Sequence, residues 1–220
     1  MQAFKPVNKV TIVTLLLILN VVNLQGQTPV IEQLRSELNL HPQEDTFRIN
    51  RLNKLGFQLR NKKPKEAQAL FSDALVLSRK LKYELGEANA LLSLSFYLRF
   101  NGEYPEAITL GKQSLVKFIQ LKDTTNMISC IYNLAYITYF QGDLAQSISY
   151  SFSALRLAEK IKSSKWLILT NTQLGNTFMQ LNEITKAKHH LSDAMKMAES
   201  VNDQDGMEHC FVPLGNIAVR

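Results

Sequence analysis

Glycine and proline are scarce in this chain, 9 and 6 of 220 residues. That scarcity excludes long irregular loops, low-complexity linkers and collagen-like repeats. Cysteine occurs twice and histidine four times. Two cysteines cannot build a disulfide scaffold. The histidines are not spaced as ligands. His189 and His190 are adjacent, and neighbours on a helix point about 100° apart. His41 and His209 have no ligand-spaced companion, so no metal site is expected. A Gly-rich phosphate loop and nucleophile-elbow spacing are both missing. The sequence therefore predicts no cofactor and no enzymatic activity in this segment.

Charge of one sign is also not concentrated. The formal net charge is +6, but Lys5 and Lys9 fall in a leader segment. Setting those two aside leaves 23 basic against 19 acidic residues, a balance of +4. The densest run, Arg60-Asn61-Lys62-Lys63-Pro64-Lys65, lies where two helices should turn. It reads as a solvated corner, and no nucleic-acid partner is expected.

Residues 1–26 read as an export signal: the two lysines, then the apolar run TIVTLLLILNVV from Thr11 to Val22. That run is shorter than the roughly 20 apolar residues a membrane span needs. Cleavage is expected between Gly26 and Gln27, with a retained signal-anchor as the rival. No cysteine lies nearby to accept a lipid. The expected location is therefore the periplasm or the outer side of a bacterial membrane. Contact with a membrane is expected through this leader or a segment beyond the chain.

What is present is a period. Leu94, Leu134, Leu174 and Leu214 stand 40 residues apart, each followed by a small residue: Ser95, Ala135, Gly175, Gly215. Further small residues follow at fixed offsets: Ala107, Ser147 and Ala187, then Ser114, Ala154 and Ala194. Regular self-similarity means stacked copies of one unit. Each unit reads as two helices, the first over 84–101, 124–141 and 164–181, the second over 104–121, 144–161 and 184–201. Asn101-Gly102, Gln141-Gly142 and Leu181-Asn182 separate them, each followed by an acid. Gly or Asn ends a helix in the left-handed region, and the acid meets the next helix's positive end. An upstream unit fits with one residue deleted in its turn: Leu52, Leu55, Gly56 and Leu59, then Ala67, Ala74, Leu75, Ser78 and Leu81. On the second helices Leu115, Phe118 and Leu121 recur as Leu155, Ala158 and Ile161, then as Met195, Ala198 and Val201. Cys130 and Cys210 share one column two repeats apart. Helices pack at about 8–10 Å, which puts such positions on the order of 20 Å apart. A disulfide needs Cα atoms within about 7 Å, so both are expected free and buried.

These positions resemble the tetratricopeptide repeat, in a long 40-residue form like that in the extracytoplasmic regions of bacterial signalling proteins. Leu91, Leu94-Ser95, Leu98, Gly102-Glu103-Tyr104, Ala107 and Ser114 carry one copy. Ile131, Leu134-Ala135, Gly142 and Ala154 carry the next, and Leu174-Gly175, Phe178, Ala187 and Ala194 the third. The period exceeds the family's usual length, and its proline near the end of each unit is absent. The resemblance implies an all-α, right-handed superhelical solenoid of antiparallel helix pairs. The domain plan is a signal peptide over 1–26, a capping helix within 27–45, four helix pairs over 46–202, and the first helix of an incomplete fifth repeat over 203–220. In the cap, Ile31, Leu34 and Leu38 form the apolar side. In the last helix Phe211, Leu214 and Ile217 are expected uncovered, with Pro213 able to kink it.

In such a stack the first helices line the concave side. Beside their core positions runs a second face: Leu92, Phe96, Arg99 and Phe100, then Tyr132, Tyr136, Tyr139 and Phe140, then Thr172, Asn176, Met179 and Gln180. The spacing i, i+4, i+7, i+8 puts each set on one side of a helix. A groove of this kind suits a protein or peptide partner, with aromatics as anchors. Arg99 could meet a carboxylate, and Asn133 or Asn176 could bond a peptide backbone. The same aromatics could instead pack against the next repeat, and both readings stand at this point. The function expected is an exported protein- or peptide-binding module, the sensory or scaffolding N-terminal part of a longer bacterial signalling protein. A complete periplasmic scaffold and a small-molecule-sensing solenoid are the alternatives.

Overall fold

The computed structural model describes residues 29–218. The expected leader over 1–26 lies outside them. Helix α1 covers 29–40. It is followed by α2 (Thr46–Leu59), α3 (Pro64–Lys80), α4 (Glu84–Phe100), α5 (Tyr104–Gln120), α6 (Thr124–Phe140), α7 (Leu144–Lys160), α8 (Ser164–Gln180), α9 (Ile184–Ser200) and α10 (Gln204–Ala218). From α3 onward each helix starts 20 residues after the last. This is an all-α solenoid of antiparallel helix pairs, as the period predicts.

Turn chemistry sets these boundaries. Gly102, Gly142 and Asn182 take positive φ between first and second helices. The opposite turns, from second helix to the next pair, use Lys82, Lys122, Lys162 and Asn202 at φ between 52° and 57°. Lysine in this region is unusual, because its Cβ crowds the following carbonyl. The bonding is that of a Schellman motif at both kinds of turn. The amides of Glu103 and Asp123 bond to the carbonyls of Leu98 and Phe118, five residues back, at 2.9 and 3.0 Å. At the helix starts, Asp45, Asp123 and Asp143 accept from the amides of Arg48, Asn126 and Gln146. Glu103 and Glu183 occupy the same position without a side-chain bond to the helix amides. Their longer side chains act on the helix end through charge alone.

Each helix packs on the next in sequence. Each first helix also touches the first helix of the following repeat, α2 on α4, α4 on α6, α6 on α8 and α8 on α10. Among the described residues the second helices do not touch one another in this way. The array therefore curves, with the first helices on the inside.

The repeat columns form the core. Leu134, Leu174, Ala107, Ala154, Ala187 and Ala194 are fully buried, as are Ser95, Ser114 and Ser147. Size is matched between helices of a pair. An added Cβ on Gly56 would lie 2.5 Å from Phe71, and one on Gly175 would lie 2.5 Å from Leu191. In the two repeats between, the small residue is Ser95 or Ala135, and the facing column holds Gly111 or Ser151. Large side chains thus face glycine, and small ones face Ser or Ala. Leu121, Ile161 and Val201, the last of the recurring apolar residues on the second helices, lie at the margin of this core. They cap the ends of α5, α7 and α9 and are 37–46% exposed.

Cys130 and Cys210 are free and buried. Burial pushes the Cys130 thiol up to about 12, with Ser114 Oγ 3.3 Å away. Helix α1 lays Leu34 and Leu38 against Ile49, Leu52 and Leu55 of α2. At the other end α10 runs through Pro213. There Ile217 packs on the cluster around Leu174 and Phe178. Leu214 is half-buried, and the residues left open are Phe211 and Val212, 65% and 69% exposed.

Candidate binding groove on the first helices

The face set out by the i, i+4, i+7, i+8 pattern divides in the structure. On α4 and α6 it becomes a ladder of rings around one cation. The Arg99 guanidinium lies 5.0 Å from the Phe96 ring, 4.7 Å from Phe100 and 5.0 Å from Tyr136. Tyr136 meets Tyr132 edge-on at 5.0 Å and Phe140 at 6.0 Å. Tyr139 meets Phe140 at 5.4 Å. Tyr132 continues onto Trp166 of α8 at 5.7 Å. Lys165 closes that end over the indole. Rings on α4 and α6 therefore form one continuous row, which runs inward to Trp166, a residue only 9% exposed in the core of the next repeat.

Exposure grades along the ladder. Phe100 and Phe140 are 73% and 56% exposed. Phe96, Tyr136 and Tyr139 are half-buried. Tyr132 is turned into the next repeat, and burial, with Tyr136 adding to it, pushes its hydroxyl well above the usual value. The two readings of these aromatics therefore both apply, at different rungs. Tyr132 packs between repeats, while Phe100 and Phe140 face outward.

Other residues of the expected site do not join it. Asn133 is fully buried. Its Nδ2 donates to Ser95 Oγ at 2.7 Å, so it has no surface to offer a peptide backbone. Leu92 and Thr172 are buried too, and Thr172 bonds back to the Ile168 carbonyl. Met179 is half-buried against the cluster of Leu174 and Phe178, and Asn176 is half-buried on α8. On that helix the ladder is carried by Trp166, six residues upstream of the expected set.

Phe57 and Arg60 are further members that the sequence reading did not place here. They occupy the columns of Phe96 and Arg99, offset by 39 because of the deletion in the first pair's turn. Arg60 lies over the Phe57 ring at 3.7 Å and donates to the Phe57 carbonyl. Extending that offset from Leu55 and Gly56 to the neighbouring face would have found both. The two Phe–Arg pairs enclose a cavity of about 540 Å³ at the ends of α2 and α4, with Asn61, Pro64 and Asn101 at its edge.

Arg99 has unusual surroundings. Its Nη1 is buried with no hydrogen-bond partner among the described residues. Burial pulls its pKa below the ordinary value, opposed by Tyr132 and Tyr136. A guanidinium keeps its charge throughout the ordinary pH range.

Among the described residues no cluster of three metal-ligating side chains occurs. No described helix is long and apolar enough to cross a membrane. His190 instead stacks on Phe178 at 5.5 Å and bonds Asn171 at 2.9 Å.

Fold and groove together define a tetratricopeptide-like helical-repeat protein. No family model and no curated protein matches the sequence. Among solved structures, the chain is similar to BtubC from P. vanneervenii, at a TM-score of 0.69 and 14% identity over 88% of this chain and 80% of that one. It is similar to a Rap protein complexed with Competence and Sporulation Factor, at 0.73 and 16% over 91% of this chain and 62% of that one. It is also similar to the TPR-like repeats of a putative kinesin light chain from Podosopora anserina, at 0.63 and 13% over 83% and 92%.

Proposed function

We propose that this chain is a binding module that holds a protein or peptide segment along the inner face of its solenoid. The observation that carries this reading is the ring ladder on α4, α6 and α8. Aromatic side chains and arginine are the residue types that dominate binding energy when a partner covers them. Phe100 and Phe140, the last residues of α4 and α6, are large rings of that row left in water. The Rap neighbour, crystallised with a bound factor, is in keeping with a solenoid of this shape holding a partner.

The context proposed is extracytoplasmic, as the sensory or scaffolding N-terminal part of a bacterial signalling protein. Support for export comes from the lysines and apolar run of residues 1–26. Fusion of the full chain to a phosphatase active only outside the cytoplasm tests that part.

Trp166 is the single tryptophan of the chain, and it ends the ladder. Peptides selected from a random library on the full chain should shift its fluorescence. The double variant Phe96→Ala/Tyr136→Ala should lose selected-peptide binding by about tenfold or more, with far-UV helicity unchanged. Retained binding in that variant would remove the groove from the function.

A further inference from the structure

The two long edges of the array carry opposite charge. Consecutive helices are antiparallel, so the turns fall alternately on one edge and the other. One edge holds the turns at 41–45, 81–83, 121–123, 161–163 and 201–203, and the other those at 60–63, 101–103, 141–143 and 181–183. Along the middle of the first edge stand Lys82, Lys122 and Lys162, all exposed and with no ion pair among the described residues. The facing positions of the second edge are Glu103, Asp143 and Glu183. The end turns invert both signs. The first edge begins on Glu44 and Asp45 and finishes on Asp203, and the second begins on Arg60, Lys62 and Lys63. Exposed apolar side chains accompany both rows: Leu81, Leu121 and Ile161 beside the lysines, and Phe100, Phe140 and Leu181 beside the acids.

The lysines are not the relaxed choice for their turns. Glycine or asparagine suits their left-handed backbone better, and Gly102, Gly142 and Asn182 fill the turns of the other edge. Three lysines kept in that conformation point to a use for their charge. We propose that the partner these edges fit is a second copy of this chain, its acidic edge laid along the basic edge of the first. Both rows belong to one array, so they share one pitch, and a contact made at one turn is repeated at the next. Charge sets the register: Lys82, Lys122 and Lys162 meet Glu103, Asp143 and Glu183. The basic corner at Arg60–Lys63 then meets an acidic end turn, Glu44 and Asp45 where the copies run parallel, Asp203 where they run opposed. A slip of one repeat in either arrangement sets like charge on like. Each copy has one edge of each kind, so the contact is head-to-tail and open-ended. The proposal stands apart from the groove reading, because its charges lie at the turns and its test is run without peptide.

Sedimentation velocity on the full chain is the measurement. At about 0.01 M salt the wild-type chain should sediment faster as its concentration rises, and at about 1 M salt it should run as a monomer. Lys82→Glu/Lys122→Glu/Lys162→Glu should weaken association by about tenfold or more, and Glu103→Lys/Asp143→Lys/Glu183→Lys should do the same, because like charges then meet at three turns. The lysine set takes the formal charge from +6 to zero. Lower net charge favours non-specific association, so a loss of association in that set reports the edge itself. Mixed one to one, the two sets should associate again, since the acidic edges of one then meet the basic edges of the other. Far-UV helicity shows that each set is folded, and Lys82→Gln/Lys122→Gln/Lys162→Gln, which should also weaken association, serves where a reversed set is not. A wild-type chain that stays monomeric at low salt overturns the proposal. So does association unchanged in a folded set, or a mixture of the two reversed sets that stays apart.

Discussion

Asn133 of α6 donates to Ser95 of α4 across 2.7 Å, and Ser95 donates onward to the Ala107 carbonyl of α5 at 2.6 Å. Three helices from two repeats are thereby joined through groups that are wholly out of water. Ser95 matters more than Asn133 in this chain of bonds, because it serves two partners. Ser95→Ala should cost about 1–3 kcal/mol, since it strands the Asn133 amide group. Asn133→Ala should cost less than Ser95→Ala, and the double variant less than the two singles together. Denaturant unfolding of the four proteins checks the cycle.

Size matching between the helices of a pair gives a second test. Gly175→Ala places a methyl carbon 2.5 Å from Leu191 Cγ, well inside van der Waals contact. Overpacking of this kind costs about 1–3 kcal/mol. Adding Leu191→Ala to Gly175→Ala should recover part of that cost, because the pair then approximates the Ala135 and Ser151 combination one repeat earlier. Additive effects in thermal unfolding would show that the glycine is not there for Leu191.

The lysines at left-handed turns give a third. Lys122 sits at φ 57°, where glycine has no Cβ penalty. Lys122→Gly should stabilise the chain by about 0.5–1 kcal/mol, and Lys122→Ala should not. Thermal midpoints of the two variants distinguish conformational relief from loss of charge.

Acid should weaken the fold in two stages. Burial, and after it His189, lower the His190 imidazole below its ordinary value, with Asp193 opposing. The unfolded chain then binds a proton that the folded chain resists, so stability is full above about 6.5 and declines as pH falls toward the folded value. Glu87 acts in the same direction at lower pH. Burial works to raise its carboxyl, but hydrogen bonds from Lys117 and Arg79 outweigh it and hold the group below its ordinary 4.5. Stability from this group is present above that value and is lost as pH falls through the folded one. His190→Gln should flatten the first decline and Glu87→Gln the second, as measured by thermal midpoint against pH.

Helix boundaries were legible because Gly102, Gly142 and Asn182 mark them in composition as well as in geometry. Lys82, Lys122 and Lys162 take the same conformation, yet lysine carries no turn signature, so those ends could be placed only by the period. The burial of Cys130 was likewise legible from its column. Asn133 was not, because a polar residue on an inner helix reads as surface until a buried partner is seen. Its partner, Ser95, is 38 residues away, two short of the period, so no column comparison pairs them. Phe57 and Arg60 were hidden by a single deletion, which shifts their repeat to 39. Trp166 was hidden because it enters the ladder from the start of α8, whereas the other rings come from the later turns of their helices.

Among the described residues the inner helices of successive repeats touch, and the outer ones do not. Each second helix is held by the first helix on either side of it. A change of curvature, in which the outer helices spread or close, is the deformation expected to break the fewest contacts in such an array. A segment laid across Phe100 and Phe140 would cross from one repeat to the next. Under the proposed binding mode its length and stiffness would favour one curvature over another, and so would act on repeats that it does not touch.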